Sequence, residues 1–207
     1  MKARNSNSLV EWSVAQRALP GQSVSGDLHL VESHDGGGLF AVVDGIGHGP
    51  EATRAAEIAV EVLRSRPKES VHSLVNRCHA ALNQTRGVVL TLVSLNALDH
   101  TITWGGVGNV EGVLFRADPR ASPAHENVLL RGGLVGAQLP VIYANVVPIT
   151  PGDVLVLASD GIRPDFEQDI VLKSTTQRIA DGILQKYFKG TDDAMVLVVR
   201  YLGEHVV

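Results

Sequence analysis

The chain has 207 residues, of which 44% are hydrophobic and 4% aromatic, and its formal net charge is −4. This length predicts one domain over residues 1–207, large enough to bury roughly 70% of its unfolded surface without disulfides. The lack of a basic excess disfavours nucleic-acid binding through bulk electrostatics.

The cysteine count and the terminal sequence indicate the compartment. A single cysteine, Cys78, excludes an internal disulfide and a multi-cysteine metal cage, and it favours a reducing compartment. Residues 1–10 lack the apolar region of a signal peptide. The longest uncharged stretch, residues 132–152, contains three prolines, which a membrane span disfavours. We therefore predict a cytoplasmic protein that associates with neither membranes nor nucleic acid.

The first half of the chain predicts a strand followed by two helices. Residues 39–43 form a short, wholly apolar run, which is typical of a strand buried on both faces. A helix is predicted from Pro50, which suits a first helical position, and it ends before Pro67. Apolar residues between 71 and 82 recur at helical spacing and predict a second helix.

The second half of the chain is richer in predicted strands. Strands are expected at about 88–98, 101–107 and 110–115, and Gly108-Asn109 between the last two is a hairpin signal. Two more apolar runs, 154–158 and 194–199, predict strands buried on both faces. Between them, residues 174–188 predict a helix, and Ser174 and Gln177 match a capping box at its start.

This order of elements is not the regular alternation of strand and helix that produces a doubly wound sheet. Groups of strands interrupted by paired helices favour an α+β fold in which two sheets stack and helices cover their outer faces. Helical cover also explains why three of the strands are apolar on both faces.

Acidic residues stand at the ends of the predicted buried strands. The series comprises Asp27, Asp44, Asp160, Asp192 and Asp193. Each acid taken alone also fits a turn, a helix cap or a solvated loop. Together they predict a cation site, because neighbouring carboxylates at buried strand edges repel one another and lose hydration. A donor set made only of oxygen selects Mg²⁺ or Mn²⁺ over zinc.

The loop after Asp44 is rich in glycine and leads directly into the helix predicted from Pro50. Glycines allow a tight turn, and the positive end of the helix dipole faces the loop, so a cation and a phosphate fit side by side there. The dinucleotide pattern G-x-G-x-x-G fails because Pro50 occupies its third glycine position, and the chain has no P-loop.

These motifs resemble the metal-dependent Ser/Thr protein phosphatases of the PPM family. The form Asp-Gly-Ile-Gly-His-Gly at 44–49 is similar to the bacterial SpoIIE-type branch and its small stressosome phosphatases. Further similarity lies at 19–27, at Gly-Val-Gly-Asn-Val-Glu-Gly (106–112) and at 131–136, and the resemblance extends from about residue 12 to 201. It implies a four-layer αββα sandwich with two Mn²⁺ or Mg²⁺ ions between mainly antiparallel sheets.

The resemblance also implies ligands for the two ions. Asp44 bridges both ions, the Gly45 carbonyl completes the coordination of one, and Asp27 lies near that ion through water. Asp160 and one acid of the following pair hold the other ion. The family pattern favours Asp192 as this ligand.

Several positions keep alternative interpretations. Asp193 is the second choice for the ligand from its pair. His48 is a candidate to protonate the leaving oxygen, although an exposed or helix-capping histidine fits the same position. Asn109 matches the family motif, but a role in a hairpin turn is the favoured interpretation. The phosphate-binding arginine of eukaryotic members has no counterpart, because Arg17 lies too far before Asp27.

The implied reaction is hydrolysis of phosphoserine or phosphothreonine on a partner protein, with in-line attack by a water that bridges the two ions. The implied partners are phosphorylated STAS-domain proteins of the stressosome. Two alternatives remain: a non-catalytic binding module with the same fold, and a binuclear-metal hydrolase of small phosphoesters. Substrate choice is expected to reside in loops around the site, with 119–127 and 132–140 as candidates.

Overall fold

The structure is a computed structural model that describes residues 9–203. It contains eleven strands and three α-helices within that range. The strands are β1 (Val10–Arg17), β2 (Asp27–His34), β3 (Gly37–Gly45), β4 (Val88–Asn96), β5 (Thr101–Val107), β6 (Glu111–Phe115), β7 (His125–Asn127), β8 (Leu130–Arg131), β9 (Asn145–Pro148), β10 (Val154–Ala158) and β11 (Ala194–Tyr201). The helices are α1 (Pro50–Ser65), α2 (Val71–Ala81), α3 (Thr176–Tyr187) and a 3-10 helix at Pro164–Asp169.

The strands form two sheets. The first sheet has the order β1-β11-β10-β6-β7, and all of its pairs are antiparallel. The second has the order β2-β3-β4-β5-β8, with β9 also paired to β5. Its single parallel pair joins β5 to the two-residue strand β8. Both sheets are therefore mainly antiparallel, as predicted.

Helices cover the outer faces of the two sheets. Helices α1 and α2 pack on the second sheet, and α3 packs on β1 and β11 of the first. Three clusters of buried apolar side chains fill the spaces between these four layers. The predicted αββα sandwich is confirmed.

Strands of the inner layers are apolar on both faces because each face meets another layer. In β3, Phe40 and Val42 lie in the core between the sheets, whereas Ala41 and Val43 lie in the core under α1 and α2. Strands β10 and β11 alternate in the same way between the inter-sheet core and the core under α3. The side-chain period of two along a strand thus accounts for all three apolar runs.

The helix predicted from Pro50 is confirmed, and its small residues explain how closely it packs. Ala52, Ala55, Ala56 and Ala59 are fully buried on the face toward β2 and β3. Alanine side chains let the helix axis approach the sheet, which places the first turn of α1 directly beside the end of β3.

The capping box predicted at Ser174 is wrong. The N-cap is Thr175, one residue later, and its hydroxyl accepts the backbone N–H of Arg178 at 3.3 Å. The Ser174 carbonyl instead accepts a hydrogen bond from the Arg200 guanidinium at 2.7 Å. A tertiary contact with β11 therefore fixes where this helix begins.

The hairpin predicted at Gly108-Asn109 is also wrong. Strand β5 belongs to the second sheet and β6 to the first, so these residues carry the chain from one sheet to the other. Gly108 has a φ of 97°, which favours glycine, and the Asn109 side chain reaches the Asp160 carboxylate. Residues typical of a tight turn are present, but the strands on either side pair with other strands and not with each other.

Cys78 is fully buried in α2, under the second sheet. Burial raises the pKa of its thiol to about 12, which leaves almost no thiolate near neutral pH. We expect iodoacetamide at pH 8 to leave native Cys78 unmodified and to alkylate it once urea unfolds the chain, as read by mass spectrometry. Rapid alkylation of the native protein would contradict this packing.

The lengths and compositions of the helices bear on the prediction that the chain does not span a membrane. Across residues 9–203, every helix is too short or too polar to cross a lipid bilayer. The prediction that no signal peptide is present concerned residues 1–10. Residues 1–8 of this segment lie outside the described residues.

Candidate metal centre

Asp27 and Asp44 lie opposite each other on neighbouring strands. Asp27 is the first residue of β2, Asp44 is the next-to-last residue of β3, and they are directly paired in the antiparallel register. Because side chains alternate along β3, Asp44 lies on the same face as Phe40 and Val42, between the two sheets. The pairing therefore places two carboxylates on one inner face.

Ser159 links this carboxylate pair to the opposite sheet. Its hydroxyl donates to Asp27 Oδ2 at 2.6 Å and accepts the backbone N–H of Met195 at 2.8 Å. All three groups are buried. The bond fixes the orientation of Asp27 and connects the start of β2 with β10 and β11.

Asp160 and Asp192 reach the same place from the first sheet. Asp160 follows the end of β10, and Asp192 comes just before β11. Together with Asp44 they line a cavity of about 410 Å³ between the ends of the two sheets. The remaining lining residues are Ile46, Gly47, Val89, Gly108, Asn109, Gly132 and Gly133.

Asp193 has a different environment from its neighbour. It is 3% exposed, and its two carboxylate oxygens accept the backbone N–H groups of Leu19 at 2.7 Å and Gly26 at 2.6 Å. Both oxygens are therefore engaged in holding the β1–β2 loop. Asp192 lines the cavity, and Asp193 ties that loop to the start of β11.

The two Asp-Gly turns need glycine for space. A Cβ at position 45 would lie 2.1 Å from the Ala52 carbonyl oxygen, and one at position 161 would lie 1.9 Å from the Asp193 carbonyl oxygen. Any side chain would push these segments apart. Glycine thus allows α1 and the Asp192-Asp193 segment to approach the acidic strand ends closely.

Burial and mutual repulsion dominate the electrostatics of the cluster. Burial, followed by the charge of Asp27, raises the pKa of Asp44 to about 9. Burial also raises the pKa of Asp27 to about 7, against the opposing effect of the Ser159 hydrogen bond. The pKa of Asp160 is raised by burial and by Asp192. The site therefore favours added positive charge, as a proton or a cation.

These residues fit a hard divalent cation. Within residues 9–203, no donor is within hydrogen-bonding distance of the Asp44 carboxylate, so its oxygens are available as ligands. In that range, no group of three or more acidic, histidine or cysteine side chains is preassembled around a metal position. The cluster is thus an open set of oxygen donors, which suits Mg²⁺ or Mn²⁺ because such ions retain several waters beside one or two carboxylates.

Asp160 is oriented by two groups that the sequence did not single out for this role. The Asn109 amide donates to Asp160 Oδ2 at 2.8 Å, and the Lys189 ammonium donates to the Asp160 backbone carbonyl. The only signal for Asn109 was its place in the family motif, and Lys189 had none, because both contacts join distant parts of the chain. His48 is exposed on its loop and is not among the described residues that line the cavity.

A family model for stage II sporulation protein E (SpoIIE) matches residues 34–202. The chain belongs to the SpoIIE family. This match includes every acid of the series except Asp27, which lies seven residues before its start.

Relatives of this SpoIIE-family chain match over almost its whole length. The phosphoserine phosphatase RsbX of Bacillus subtilis (strain 168) is 23% identical over 200 residues, which cover 95% of this chain and 97% of RsbX. A solved structure from a study of the bacterial stressosome, described there as a modular system adapted to control secondary messenger signaling, is 30% identical with a TM-score of 0.83. It covers 92% of this chain and 99% of its own.

RsbX in complex with magnesium has the same fold, with a TM-score of 0.82 and 21% identity over 96% of this chain and 97% of RsbX. The predicted family, the fold and the enzyme class, a PPM-type phosphatase, are thus confirmed. The roles of the individual acids remain predictions.

Proposed function

We propose that this SpoIIE-family chain is a metal-dependent protein phosphatase that hydrolyses phosphoserine or phosphothreonine on a regulatory protein. The observation that carries the proposal is the convergence of Asp44, Asp160 and Asp192 from both sheets at one cavity, with Asp27 buried beside Asp44. Asp44 and Asp160 are its catalytic candidates.

The ligand assignment follows from which oxygens are available. Asp44, with the Gly45 carbonyl beside it, Asp160 and Asp192 are the proposed ligands of two Mn²⁺ or Mg²⁺ ions. Asp27, held by Ser159, is proposed to act on a bound water. When bound, such ions supply positive charge to the phosphoryl oxygens and lower the pKa of a water molecule.

The protein's own groups orient these ligands before substrate arrives. Asn109 holds one oxygen of Asp160, and both residues line the cavity. The close contacts of Gly45 with α1 and of Gly161 with Asp193 restrict movement of the strand ends. Such preorganisation keeps the charge arrangement in place while the phosphorus–oxygen bond breaks.

The residues that line the cavity favour a protein substrate over a small phosphoester. Small-molecule pockets are mostly lined by apolar and aromatic side chains. The described lining of this cavity consists of three carboxylates, four glycines, Asn109 and two apolar side chains, Ile46 and Val89. Recognition must then come from surfaces outside it. Of the two loops predicted to choose the substrate, only 132–140 contributes to the lining, through Gly132 and Gly133.

The similarity to RsbX and to a protein of the bacterial stressosome supports the choice of partner. We assign phosphorylated STAS-domain proteins of a stressosome as the substrates. A single, buried cysteine fits the reducing cytoplasm in which such assemblies act.

The test is phosphate release by the purified chain from a serine-phosphorylated STAS-domain protein and from p-nitrophenyl phosphate, each with Mn²⁺, with Mg²⁺ and with EDTA. We expect release that needs the metal and a kcat/KM at least about tenfold higher on the protein. Calorimetric titration with Mn²⁺ runs in parallel.

Three results would contradict the proposal. Full activity in EDTA would exclude the metal mechanism. Faster turnover of p-nitrophenyl phosphate than of the protein would favour a hydrolase of small phosphoesters. No release from either substrate, together with no Mn²⁺ binding, would favour a binding module.

A further inference from the structure

Arg86 lies beside the loop that follows Asp44. Its Nη1 atom is 2.9 Å from the point that a Cβ at position 47 would occupy, and Gly47 lines the acidic cavity. The backbone N–H of Ile46 donates to the Gly87 carbonyl at 3.1 Å, which fixes the 86–87 segment against the loop. Because residue 47 is glycine, the space beside the Arg86 guanidinium holds no side chain from that position of the cavity loop.

Arg86 is held in place only loosely. Its ion pair within the described part of the chain is with Glu51, in the first turn of α1. The side chains of Arg86 and Glu51 are 52% and 70% exposed. Exposed pairs of this kind contribute little stability, so an incoming anion competes readily for the guanidinium.

Other cations near the cavity are engaged elsewhere. Lys189 donates to the Asp160 carbonyl, and Arg131, next to the lining residue Gly132, lies 4.2 Å over the Tyr143 ring. Arg163 pairs with Asp165 and lies over the Tyr187 ring. Arg86, by contrast, lies beside the cavity loop and is paired with an exposed carboxylate, so its side chain is able to turn toward the cavity.

We infer that Arg86 binds the phosphoryl group of the substrate by exchanging Glu51 for phosphoryl oxygens. This inference rests on the proposed function, since it assigns the side chain that binds the substrate of that site. The planar guanidinium offers two parallel N–H donors that match two phosphoryl oxygens, and its charge offsets part of the repulsion between a dianion and the acid cluster.

The test compares Arg86→Ala with Arg54→Ala, since Arg54 is another exposed arginine with an exposed carboxylate partner, Glu57, and it lies on α1. Two quantities are measured with Mn²⁺ present: the Kd of inorganic phosphate by calorimetry, and kcat and KM on the phosphorylated STAS-domain protein. In Arg86→Ala we expect Kd and KM to rise about tenfold and kcat to stay within about twofold, because the contact is made in ground and transition states alike.

Two further variants refine the expectation. Arg86→Lys should retain part of the phosphate affinity, since it keeps the charge and loses the paired donors. Glu51→Gln should tighten phosphate binding about twofold to threefold, because Arg86 then has no competing carboxylate. Arg54→Ala should change neither Kd nor KM.

Unchanged phosphate Kd and KM in Arg86→Ala would overturn the inference while leaving the proposed function intact. Equal changes in Arg54→Ala, or a matching loss of Mn²⁺ affinity or melting temperature in Arg86→Ala, would also overturn it, since the effect would then be structural. If the wild type released no phosphate from its substrate, the proposed function would fail, and the phosphate Kd would still report on Arg86.

Discussion

Replacing Asp44 with asparagine is expected to lower kcat/KM on the phosphorylated partner by about a thousandfold or more, equivalent to ~4 kcal/mol of barrier. Asp44 accepts no hydrogen bond in the described part of the chain and faces the cavity from β3, so its charge is available to a cation. An amide has the same shape but no charge. Mn²⁺ affinity should fall with activity.

The same variant should stabilise the metal-free fold. Burial and Asp27 raise the pKa of Asp44 from 3.8 to about 9, so the ionised carboxylate disfavours the folded state. The penalty is absent below the unfolded pKa, grows as pH rises above about 4, and is complete near pH 9. In EDTA at pH 8, Asp44→Asn should be more stable by ~2 kcal/mol, a value reduced because solvent reaches part of the side chain.

Thermal unfolding in EDTA at pH 5 and pH 8 measures the expected stabilisation of Asp44→Asn. The melting temperature of Asp44→Asn should exceed that of the wild type by roughly 4–8 °C at pH 8 and by much less at pH 5. Asp35→Asn is the control, because Asp35 is exposed in the turn at the other end of β2 and β3. Near-normal turnover by Asp44→Asn would exclude it as a metal ligand.

Replacing each of the two adjacent acids before β11 with asparagine should affect a different property: activity for Asp192 and stability for Asp193. Asp192→Asn should lower activity at least about a hundredfold and leave the melting temperature within a few degrees, because Asp192 lines the cavity. Asp193→Asn should lower the free energy of unfolding by about 3 kcal/mol. An asparagine amide can accept only one of the N–H groups of Leu19 and Gly26, and its NH₂ then faces the other donor.

Differential scanning calorimetry and phosphate release separate these effects. A destabilisation of about 3 kcal/mol corresponds to a fall of roughly 6–12 °C in melting temperature for a chain of this size. Relief of repulsion within the acid cluster offsets part of the loss in Asp193→Asn. If Asp193→Asn were stable and inactive while Asp192→Asn were active, the ligand assignment within the pair would be reversed.

The local sequence pattern was sufficient to predict the buried strands and the acids at their ends. The apolar runs at 39–43, 154–158 and 194–199 became β3, β10 and β11, because a strand between two packed layers must be apolar on both faces. Asp44, Asp160 and the Asp192-Asp193 pair followed from the same runs, whereas Asp27 was found at the start of a separate segment. Helix α1 began at Pro50 because proline is tolerated in the first turn, where its missing N–H is not needed.

Features that depend on distant partners could not be read from local pattern. The signal at Gly108-Asn109 specified a tight turn, but whether β5 and β6 pair with each other was decided by β4 and β10, which bind them into different sheets. The start of α3 was decided by Arg200. The candidate metal ligand between Asp192 and Asp193 depends on two backbone amides more than 160 residues away.

The sequence by itself determined the layered architecture and the acids at the strand ends, because these depend on periodicity, burial and residue chemistry along each segment. Its motifs at 44–49 and 106–112 carried the resemblance to the family. Only the tertiary structure decided how those acids differ. It engages Asp193 with two backbone amides, orients Asp160 through Asn109, and leaves Asp44 without a hydrogen-bond donor among residues 9–203. The physical reason is that hydrogen bonds and charge interactions are set by proximity in space, which the packing of the two sheets creates.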